Sequence, residues 1–253
     1  MRIEDFFSSK QRFYPDLSFS HIKNPNKWLS FPLFGFIFKG IVLTPVTLEL
    51  VFLGIIYLFV VILINPCIIL FSGKYWQFAY ELNLGVMRLS LKTYAFFAGL
   101  TNKYPWFNLT ISDELFNLNI EKPKNPNKLL NFPILGILFK VIILLPFWIV
   151  DRIVSSAAGI AYLFSCLPIF FQGRYPESAY EITRDYLRLS FAGCVYLTGL
   201  SDTYPSMYIS LNHKKIKIFL LILGILISLS NFSSSGQSKY NSPNQSSSKV
   251  IYK

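Results

Sequence analysis

Two long runs without a charged residue constrain the fold of this chain more than any other feature. Leu50 to Gly73 is 24 residues long, and Ile153 to Gly173 is 21. About 20 apolar helical residues are enough to cross a bilayer core roughly 30 Å thick. Charged residues make up 15% of the sequence, against about 25% in an average globular domain. The sequence therefore predicts an all-α, integral membrane helical protein.

Two further segments of the chain are nearly identical to each other. NPNKWLSFPLFGFIFK begins at Asn24 and NPNKLLNFPILGILFK at Asn125, and ten of their sixteen positions agree. The similarity continues between 73–109 and 173–209, where the offset falls from 101 to 100 residues. Self-similarity at a fixed period indicates a duplication. We therefore predict two tandem repeats of about 100 residues, with one residue lost in the apolar stretch between these segments.

The repeats suggest six parts in the chain. We expect an N-terminal cytoplasmic segment (1–22), a first membrane repeat (23–110), a linker (111–123), a second membrane repeat (124–210), a C-terminal transmembrane helix (213–232) and a disordered polar tail (233–253). The tail is rich in serine and too poor in apolar residues to fold. The N-terminus carries Glu4 and Asp5 without an early apolar core, so an internal segment is expected to direct insertion rather than a signal peptide.

Each repeat is expected to contain three helical pieces. They lie at 29–44, 46–71 and 77–100 in the first repeat and at 131–145, 147–171 and 177–200 in the second. The first piece ends at Pro45 or Pro146, because proline is poorly tolerated inside a helix. The second piece is the best candidate for a transmembrane helix. In the second repeat it contains SSAAGIA (155–161), whose small residues allow close helix contact in lipid.

The third pieces carry the candidate functional residues, which form a polar stripe on each helix. The stripe residues are Glu81, Arg88 and Lys92 in the first repeat and Glu181, Arg184, Asp185 and Arg188 in the second. A charge at the centre of a bilayer costs about 2.5–3.5 kcal/mol on insertion scales. These helices are therefore expected to cross the membrane with the stripe turned towards protein, or to lie in the interface.

Basic residues indicate the orientation in the membrane. They cluster before residue 30, at 103–128 and at 214–217, and the positive-inside rule places all three clusters in the cytoplasm. Each repeat then crosses the membrane an even number of times, and the repeats have parallel orientations. The second and third pieces form the favoured hairpin; alternatively the first and second do, and the third lies on the surface. We expect a cell (inner) membrane protein with a cytoplasmic N-terminus and no nucleic-acid partner, since basic and aromatic residues do not interleave.

The sequence carries no recognisable catalytic or metal-binding pattern. It contains no GxSxG, HExxH, Walker-type loop or histidine and cysteine cluster. Cys67, Cys166 and Cys194 lie in or beside apolar stretches without CxxC spacing, so they are interpreted as small buried apolar residues. We expect a protein that is not an enzyme and has no cofactor.

A set of glycine, basic, tyrosine and proline positions recurs in both repeats. These motif positions are Gly73, Lys74, Tyr75, Tyr104 and Pro105, and Gly173, Arg174, Tyr175, Tyr204 and Pro205. With the arginines Arg88 and Arg188 between them, they resemble the uncharacterised membrane domain known as domain of unknown function 4389. Departures include Trp76 for a proline in the first copy, and Ser206 and Met207 for Pro-Phe in the second. The resemblance implies an architecture and brings no established activity.

Three functions fit these observations. The leading hypothesis is a non-enzymatic integral membrane protein that serves as an accessory or scaffold subunit of a membrane complex. The second is a small transporter or channel, with a polar path lined by the charged third helices. The third is a protein that engages anionic lipids through its basic segments. The expected partners are the lipid bilayer, other membrane proteins or a second copy of the chain.

Overall fold

The computed structural model describes residues 16–19, 25–31, 34–106, 109, 116–207, 209 and 214–237. Its elements, in chain order, are β1 (Asp16–Phe19), a 3-10 turn (Trp28–Ser30), α1 (Phe34–Ser72), α2 (Gln77–Phe97), β2 (Phe116–Asn119), α3 (Leu135–Gln172), α4 (Glu177–Leu197) and α5 (Lys214–Gln237). Helix dominates these residues, so the predicted helical class is confirmed. The two short strands were not predicted.

Each half of the chain contains two long helices rather than three helical pieces. Pro45 lies inside α1, and Pro146 lies inside α3, so the predicted breaks at these prolines are wrong. Buried residues flank both prolines, for example Leu43 and Val46 around Pro45. We attribute the continuity of the helices to packing on both sides of each proline, which offsets the single backbone hydrogen bond that proline removes.

A π-helical segment explains the shift in offset between the two halves. α1 has 39 residues and α3 has 38. Within α1 the segment Leu58–Ile64 is π-helical, and the Asn65 N–H bonds the Val60 carbonyl, five residues earlier. A bond of this span encloses one residue more than an α-helical bond. The extra residue of α1 is thus accommodated within the π-helical segment. The residues before and after this segment therefore keep their orientation around the helix axis.

Each of the helices α1 to α4 is followed by a glycine in the left-handed conformation. Gly73 ends α1 and Gly173 ends α3, both with φ of 68°. Gly99 follows α2 with φ of 70°, and Gly199 follows α4 with φ of 74°. Glycine adopts this conformation without the steric cost that a β-carbon brings. The glycines that recur in the sequence are therefore helix stops.

α2 and α4 form the centre of the structure. Most of their residues are buried, and the main apolar core includes Ala79 and Met87 of α2 and Ile182 and Leu187 of α4. α1 packs on α2, α3 packs on α4, and α5 packs along α3. The helices with the most apolar sequences thus surround the two charged helices.

The helices run between two ends of the molecule, which we call end A and end B. End A comprises Asn26, Lys27, Asn102 and Gly173, and end B comprises their counterparts Asn127, Lys128, Asp202 and Gly73. At end A the Asn26 N–H donates to Asn102 Oδ1 at 2.9 Å, and at end B the Asn127 N–H donates to Asp202 Oδ2 at 2.6 Å. Lys27 lies across Gly173, and Lys128 lies across Gly73. α1 and α4 therefore run from A to B, and α2 and α3 from B to A.

The two strands pair with each other across the halves. β1 and β2 are antiparallel, with Asp16 opposite Asn119, Leu17 opposite Leu118, Ser18 opposite Asn117 and Phe19 opposite Phe116. β1 lies in the predicted N-terminal cytoplasmic segment (1–22), and β2 lies in the predicted linker (111–123). Tyr80 Oη donates to the Ile120 carbonyl at 2.7 Å, which attaches the end of β2 to α2.

The C-terminal helix is longer than predicted. α5 continues to Gln237, whereas the sequence predicted its end at 232 and a disordered tail from 233. Residues 233–237 are therefore helical, and 238–253 lie outside the described residues. Most of the predicted N-terminal segment, apart from β1, also lies outside them.

Candidate functional site: the charged helices

The polar stripe of α4 is buried against α5 and forms an ionic cluster. Glu181 is 6% exposed and Asp185 is 2% exposed. Lys217 of α5 places its Nζ 2.6 Å from Glu181 Oε2 and 3.8 Å from Asp185 Oδ2. Arg184 adds an ion pair of 3.0 Å to Asp185. The cluster joins α5 to α4 and holds two acids and two bases together in the interior.

Lys217 is the member of this cluster that the sequence did not reveal. In the sequence it belongs, with Lys214 and Lys215, to a basic group that indicates orientation in the membrane. Yet Lys217 is 3% exposed, whereas Lys215 is exposed. The only local signal is that Lys217 stands inside the apolar stretch of α5, and no local pattern indicates which acid it meets.

Small residues allow α5 to approach α3 closely, as predicted for the segment SSAAGIA. A β-carbon on Gly224 would lie 2.7 Å from the Ile153 carbonyl oxygen and 3.3 Å from Ala157 Cβ. The hydroxyls of Ser156 and Ser228 are 3.1 Å apart. The helix contact thus depends on glycine and alanine at its closest point and on a hydroxyl pair beside it.

The stripe residues of α2 have different surroundings. Glu81 is exposed and accepts a hydrogen bond of 2.7 Å from Gln77, which in turn accepts one from Lys122. Arg88 is half-buried and its Nη2 donates to the Leu118 carbonyl of β2 at 3.4 Å. Lys92 is buried at 9% exposure. On α4, Arg188 is half-buried at the position that corresponds to Arg88.

The structure therefore does not bring the stripe residues into one shared site. The acids of α4 face α5, Arg88 faces β2, and Glu81 lies at the surface. The contacts of Arg88, Glu181 and Asp185 connect secondary-structure elements, whereas Glu81 binds Gln77 of its own helix. Chemically, the arrangement can hold helices and the sheet together.

The motif tyrosines connect the two halves of the chain by equivalent hydrogen bonds. Tyr75 Oη donates to the Thr198 carbonyl at 3.2 Å, and Tyr175 Oη donates to the Ala98 carbonyl at 3.2 Å. Each tyrosine opens one charged helix and reaches the end of the other. Burial raises the pKa of both phenols well above the usual tyrosine range, so they remain hydrogen-bond donors.

The remaining motif residues pack within their own halves or lie at the surface. Tyr104 Oη donates to the Val42 carbonyl of α1 at 3.0 Å, and Tyr204 packs edge-on against Phe147. Pro105 and Pro205 are buried. Lys74 and Arg174, the basic residues after the helix-ending glycines, are exposed. The motif thus combines structural positions with two exposed positive charges.

Two buried lysines are the least expected residues of the structure. Lys39 and Lys140 are counterparts, and each is 1% exposed. Lys39 Nζ donates to the Phe97 carbonyl at 3.2 Å and to Tyr162 Oη at 3.3 Å, whereas Lys140 Nζ donates to Asn131 Oδ1 at 2.8 Å. Their ammonium groups lie beside Gly99 and Gly199, at the C-terminal ends of α2 and α4, where positive charge is favourable. The recurrence of one lysine in two otherwise apolar segments is the sequence signal for these sites.

The described residues contain no group of three or more His, Cys, Asp or Glu side chains that could hold a metal ion. The three cysteines are free thiols, with Cys67 and Cys166 half-buried and Cys194 exposed. The interpretation of all three as buried is therefore wrong for Cys194.

The outer surface is strongly apolar. Large apolar side chains are exposed along the whole of α1, from Phe34 at 73% to Phe71 at 86%. The exposed residues of α3 and α5 are similar, for example Leu163 at 63% and Phe219 at 62%. Among the described residues, Phe34–Ser72 is the one helix that is long and apolar enough to cross a membrane by length and composition.

These observations define a helical protein with a charged, buried centre and an apolar exterior. Residues 135–208, from α3 to the turn after α4, match the family model for Domain of unknown function (DUF4389). The resemblance recognised in the sequence is therefore confirmed over these residues, which are similar to that family. Comparison with curated proteins and with solved structures found no match.

Proposed function

We propose that this protein is an integral membrane protein with a structural role, as an accessory or scaffold subunit of a membrane complex. It is built from two tandem repeats of about 100 residues and a C-terminal apolar helix. Its partners are the lipid bilayer and other membrane proteins. It carries out no catalysis of its own.

The apolar exterior supports the membrane location. A monomeric soluble protein rarely exposes a contiguous apolar patch larger than a few hundred Å². Here the exposed face of α1 extends over the full 39 residues of the helix. The buried stripe of α1, including Lys39, Leu43, Val46 and Leu53, is narrow by comparison. A helix whose circumference is mostly apolar and exposed is suited to a hydrocarbon environment.

The equivalent contacts of the two halves support the tandem repeat. Tyr75 and Tyr175 make the same bond to counterpart positions, and Asn26 and Asn127 make the same type of bond at the two ends. Two copies of one unit related by a two-fold axis make such reciprocal contacts, since residue i of one copy meets residue j of the other and the reverse.

The structural role is supported mainly by the contacts that the polar-stripe residues make with other elements. In a transporter, intramembrane charges are expected to line a cavity or path. Three stripe charges instead hold elements together: Arg88 binds the backbone of β2, and Glu181 and Asp185 bind Lys217. This favours a scaffold over the alternative of a transporter or channel.

A flux experiment separates the two roles. The purified protein is reconstituted into liposomes, and the release of a panel of trapped ions and small solutes is followed with and without protein. A scaffold leaves the release rates at the level of empty liposomes. Release that depends on protein and falls in Arg88→Ala and Arg188→Ala variants would support the transporter and overturn our proposal.

A further inference from the structure

We infer that the protein lies in one leaflet of the membrane, with α1 to α4 running along the membrane plane and the two-stranded sheet on the aqueous side. This inference rests on the proposed membrane location and adds an orientation to it. It differs from the hairpins expected from the sequence, because no helix of the two repeats crosses the bilayer.

The first argument comes from the path of the chain between the two ends. α2 finishes at end A, where Asn102 binds Asn26, and α3 begins from end B, where Asn127 binds Asp202. The connection between them travels from A to B through β2. If the ends lay on opposite sides of the membrane, β2 would cross the hydrocarbon region together with β1.

A two-stranded sheet is not stable in that position. Each strand bonds its partner on one edge, and the backbone groups of the other edge need water or another donor or acceptor. Open sheet edges exposed to lipid do not occur within the hydrocarbon region. The exposed charges of Glu121 and Lys124, just after β2, also require water. The sheet therefore lies on the aqueous side, and ends A and B lie on either side of it at the same membrane surface.

The second argument comes from Arg152, which lies near the middle of α3 and is exposed. If α3 crossed the bilayer, this guanidinium would face lipid close to the hydrocarbon centre, the most costly place for a charge. If α3 lies along the membrane plane, a long arginine side chain reaches the headgroups from any point of the helix. Asp151, its neighbour, is half-buried beside it.

The length of α1 gives the third argument. A helix of 39 residues extends for about 58 Å at 1.5 Å per residue, roughly twice the hydrocarbon thickness. A straight crossing would need a tilt of about 60°, beyond the usual range of 0–40°. Exposed apolar residues nevertheless continue to both ends of the helix, from Phe34 to Phe71. A helix lying within one leaflet keeps that whole face in hydrocarbon.

The charges at the two ends agree with this orientation. End A presents Lys27 and Arg174, and end B presents the counterparts Lys128 and Lys74; all four are exposed. When the two-fold axis that relates the two halves lies along the membrane normal, both basic pairs reach the same layer of headgroups. The surface of a leaflet rich in anionic lipid attracts such pairs. The occupant of the apolar face is thus the acyl-chain layer of that leaflet.

α5 follows the same plane. It packs along α3 in the opposite direction, with Gly224 on Ala157, and Leu229 and Trp148 line the same cavity. Its first turns are held to α4 by Lys217. Because α5 runs alongside a helix that does not cross, its C-terminal end also stays on the side of the sheet.

Labelling with a membrane-impermeant maleimide tests the orientation. In a variant with Cys67, Cys166 and Cys194 replaced by alanine, single cysteines are introduced as Lys74→Cys, Arg174→Cys and Lys124→Cys. Lys74 and Arg174 are counterparts at ends B and A, and Lys124 is beside the sheet. All three positions are expected to react from one side, in intact cells or only after permeabilisation.

Two other outcomes would overturn the inference. Reaction of Lys74→Cys and Arg174→Cys from opposite sides would show that α1 and α3 cross the membrane in opposite directions. Reaction of both from the side opposite to Lys124→Cys would support the hairpins expected from the sequence. If alkaline carbonate extracts the unmodified protein from the membrane, the protein is not an integral membrane protein, and the proposed function itself is wrong.

A depth measurement gives an independent result. Spin labels are attached to cysteines introduced as Phe38→Cys, Phe52→Cys and Leu63→Cys, all on the exposed face of α1. Collision rates with oxygen and with a polar nickel chelate report the depth of each label. A helix in one leaflet gives one common depth at the three positions. A crossing helix gives a deep label at 52 and shallower labels at 38 and 63, which would contradict the inference.

Discussion

Leu17 on β1 lies directly opposite Leu118 on β2, its own counterpart 101 residues later in the chain. The neighbouring pairs are Asp16 with Asn119 and Ser18 with Asn117. The shift of 101 residues relates Asp16 to Asn117 and Ser18 to Asn119, so it converts one pair into the other. A ladder that maps onto itself in this way contains a local two-fold axis through the Leu17 and Leu118 pair. The sheet and the bonds of Tyr75 and Tyr175 thus both pair counterpart positions of the two halves.

The tyrosine pair allows a direct test of this equivalence. We expect Tyr75→Phe and Tyr175→Phe each to lower the free energy of unfolding by at least about 0.5–1.5 kcal/mol, because each removes one hydrogen bond between the halves. Tyr75→Phe should have the larger effect, because it also removes the 3.2 Å bond that Asn83 Nδ2 donates to Tyr75 Oη. Thermal or denaturant unfolding in detergent micelles measures both variants.

Tyr94→Phe is the matched control, since Tyr94 is 52% exposed on α2. It should leave the midpoint of unfolding unchanged. A large loss for one motif tyrosine and none for the other would contradict the equivalence of the two bonds.

The sequence predicted the elements that depend on local pattern. Long uncharged runs indicated the helical segments 46–71 and 147–171, which lie within α1 and α3. The strands were missed because Phe116–Asn119 alternates over only four residues and is stabilised by a partner about 100 residues away in sequence. Pro45 suggested a break that tertiary packing overrides. Each miss lies where a long-range contact outweighs the local signal.

The candidate site was predicted by residue type and not by arrangement. The charged positions of α2 and α4 were identified as one stripe per helix, which the 3.6-residue period allows. Lys217, which binds Glu181 and Asp185, belongs to another element, and periodicity carries no information about contacts between elements. The same reason hid the role of Lys39 and Lys140 at the helix ends.

The ionic cluster should make Lys217 essential for the docking of α5. We expect Lys217→Met to destabilise the protein by about 3–5 kcal/mol, because it leaves the buried Glu181 without its lysine partner. The double variant Lys217→Met with Glu181→Gln should recover part of this loss, since it removes the uncompensated charge. Unfolding in detergent micelles gives the three stabilities.

Lys215→Met serves as the control for the loss of a positive charge, because Lys215 is exposed two residues earlier on α5. It should change the stability by no more than about 0.5 kcal/mol. An equal loss for Lys215→Met and Lys217→Met would show that net charge, not the buried cluster, determines the stability.

The contact between α5 and α3 should depend on the absence of a side chain at Gly224. Gly224→Leu is expected to separate the helices, since even a β-carbon would lie 2.7 Å from the Ile153 carbonyl oxygen. The distance is reported by a disulfide between cysteines introduced as Ser156→Cys and Ser228→Cys in the cysteine-free background. We expect the disulfide to form with glycine at 224 and to be lost with leucine.

Gly159→Ala is the control for adding a methyl group to a helical glycine of α3. A β-carbon there meets nothing within 4 Å, so this variant should keep the disulfide and gain about 0.5–1 kcal/mol of helix stability. Disulfide formation that persists in Gly224→Leu would mean that α5 does not depend on the close approach seen here.

The π-helical segment makes a prediction about deletions that distinguishes the two long helices. Deleting Phe59, an exposed residue of Leu58–Ile64, should convert the π turn to α-helix and leave 38 residues, as in α3. Residues on both sides would keep their faces, so we expect a change in stability within about 1 kcal/mol, typical of a surface alteration. Unfolding in detergent micelles measures it.

Deleting Gly159, an exposed residue of the regular helix α3, is the matched experiment. It should rotate every residue from 160 to the end of α3 by about 100° relative to the preceding turns. Ile169, which is 0% exposed, would leave the core, and the loss of such a residue alone costs about 2–5 kcal/mol. We therefore expect this deletion to prevent folding or to lower the stability by at least that amount. Equal effects of the two deletions would show that the π segment does not compensate for the extra residue of α1.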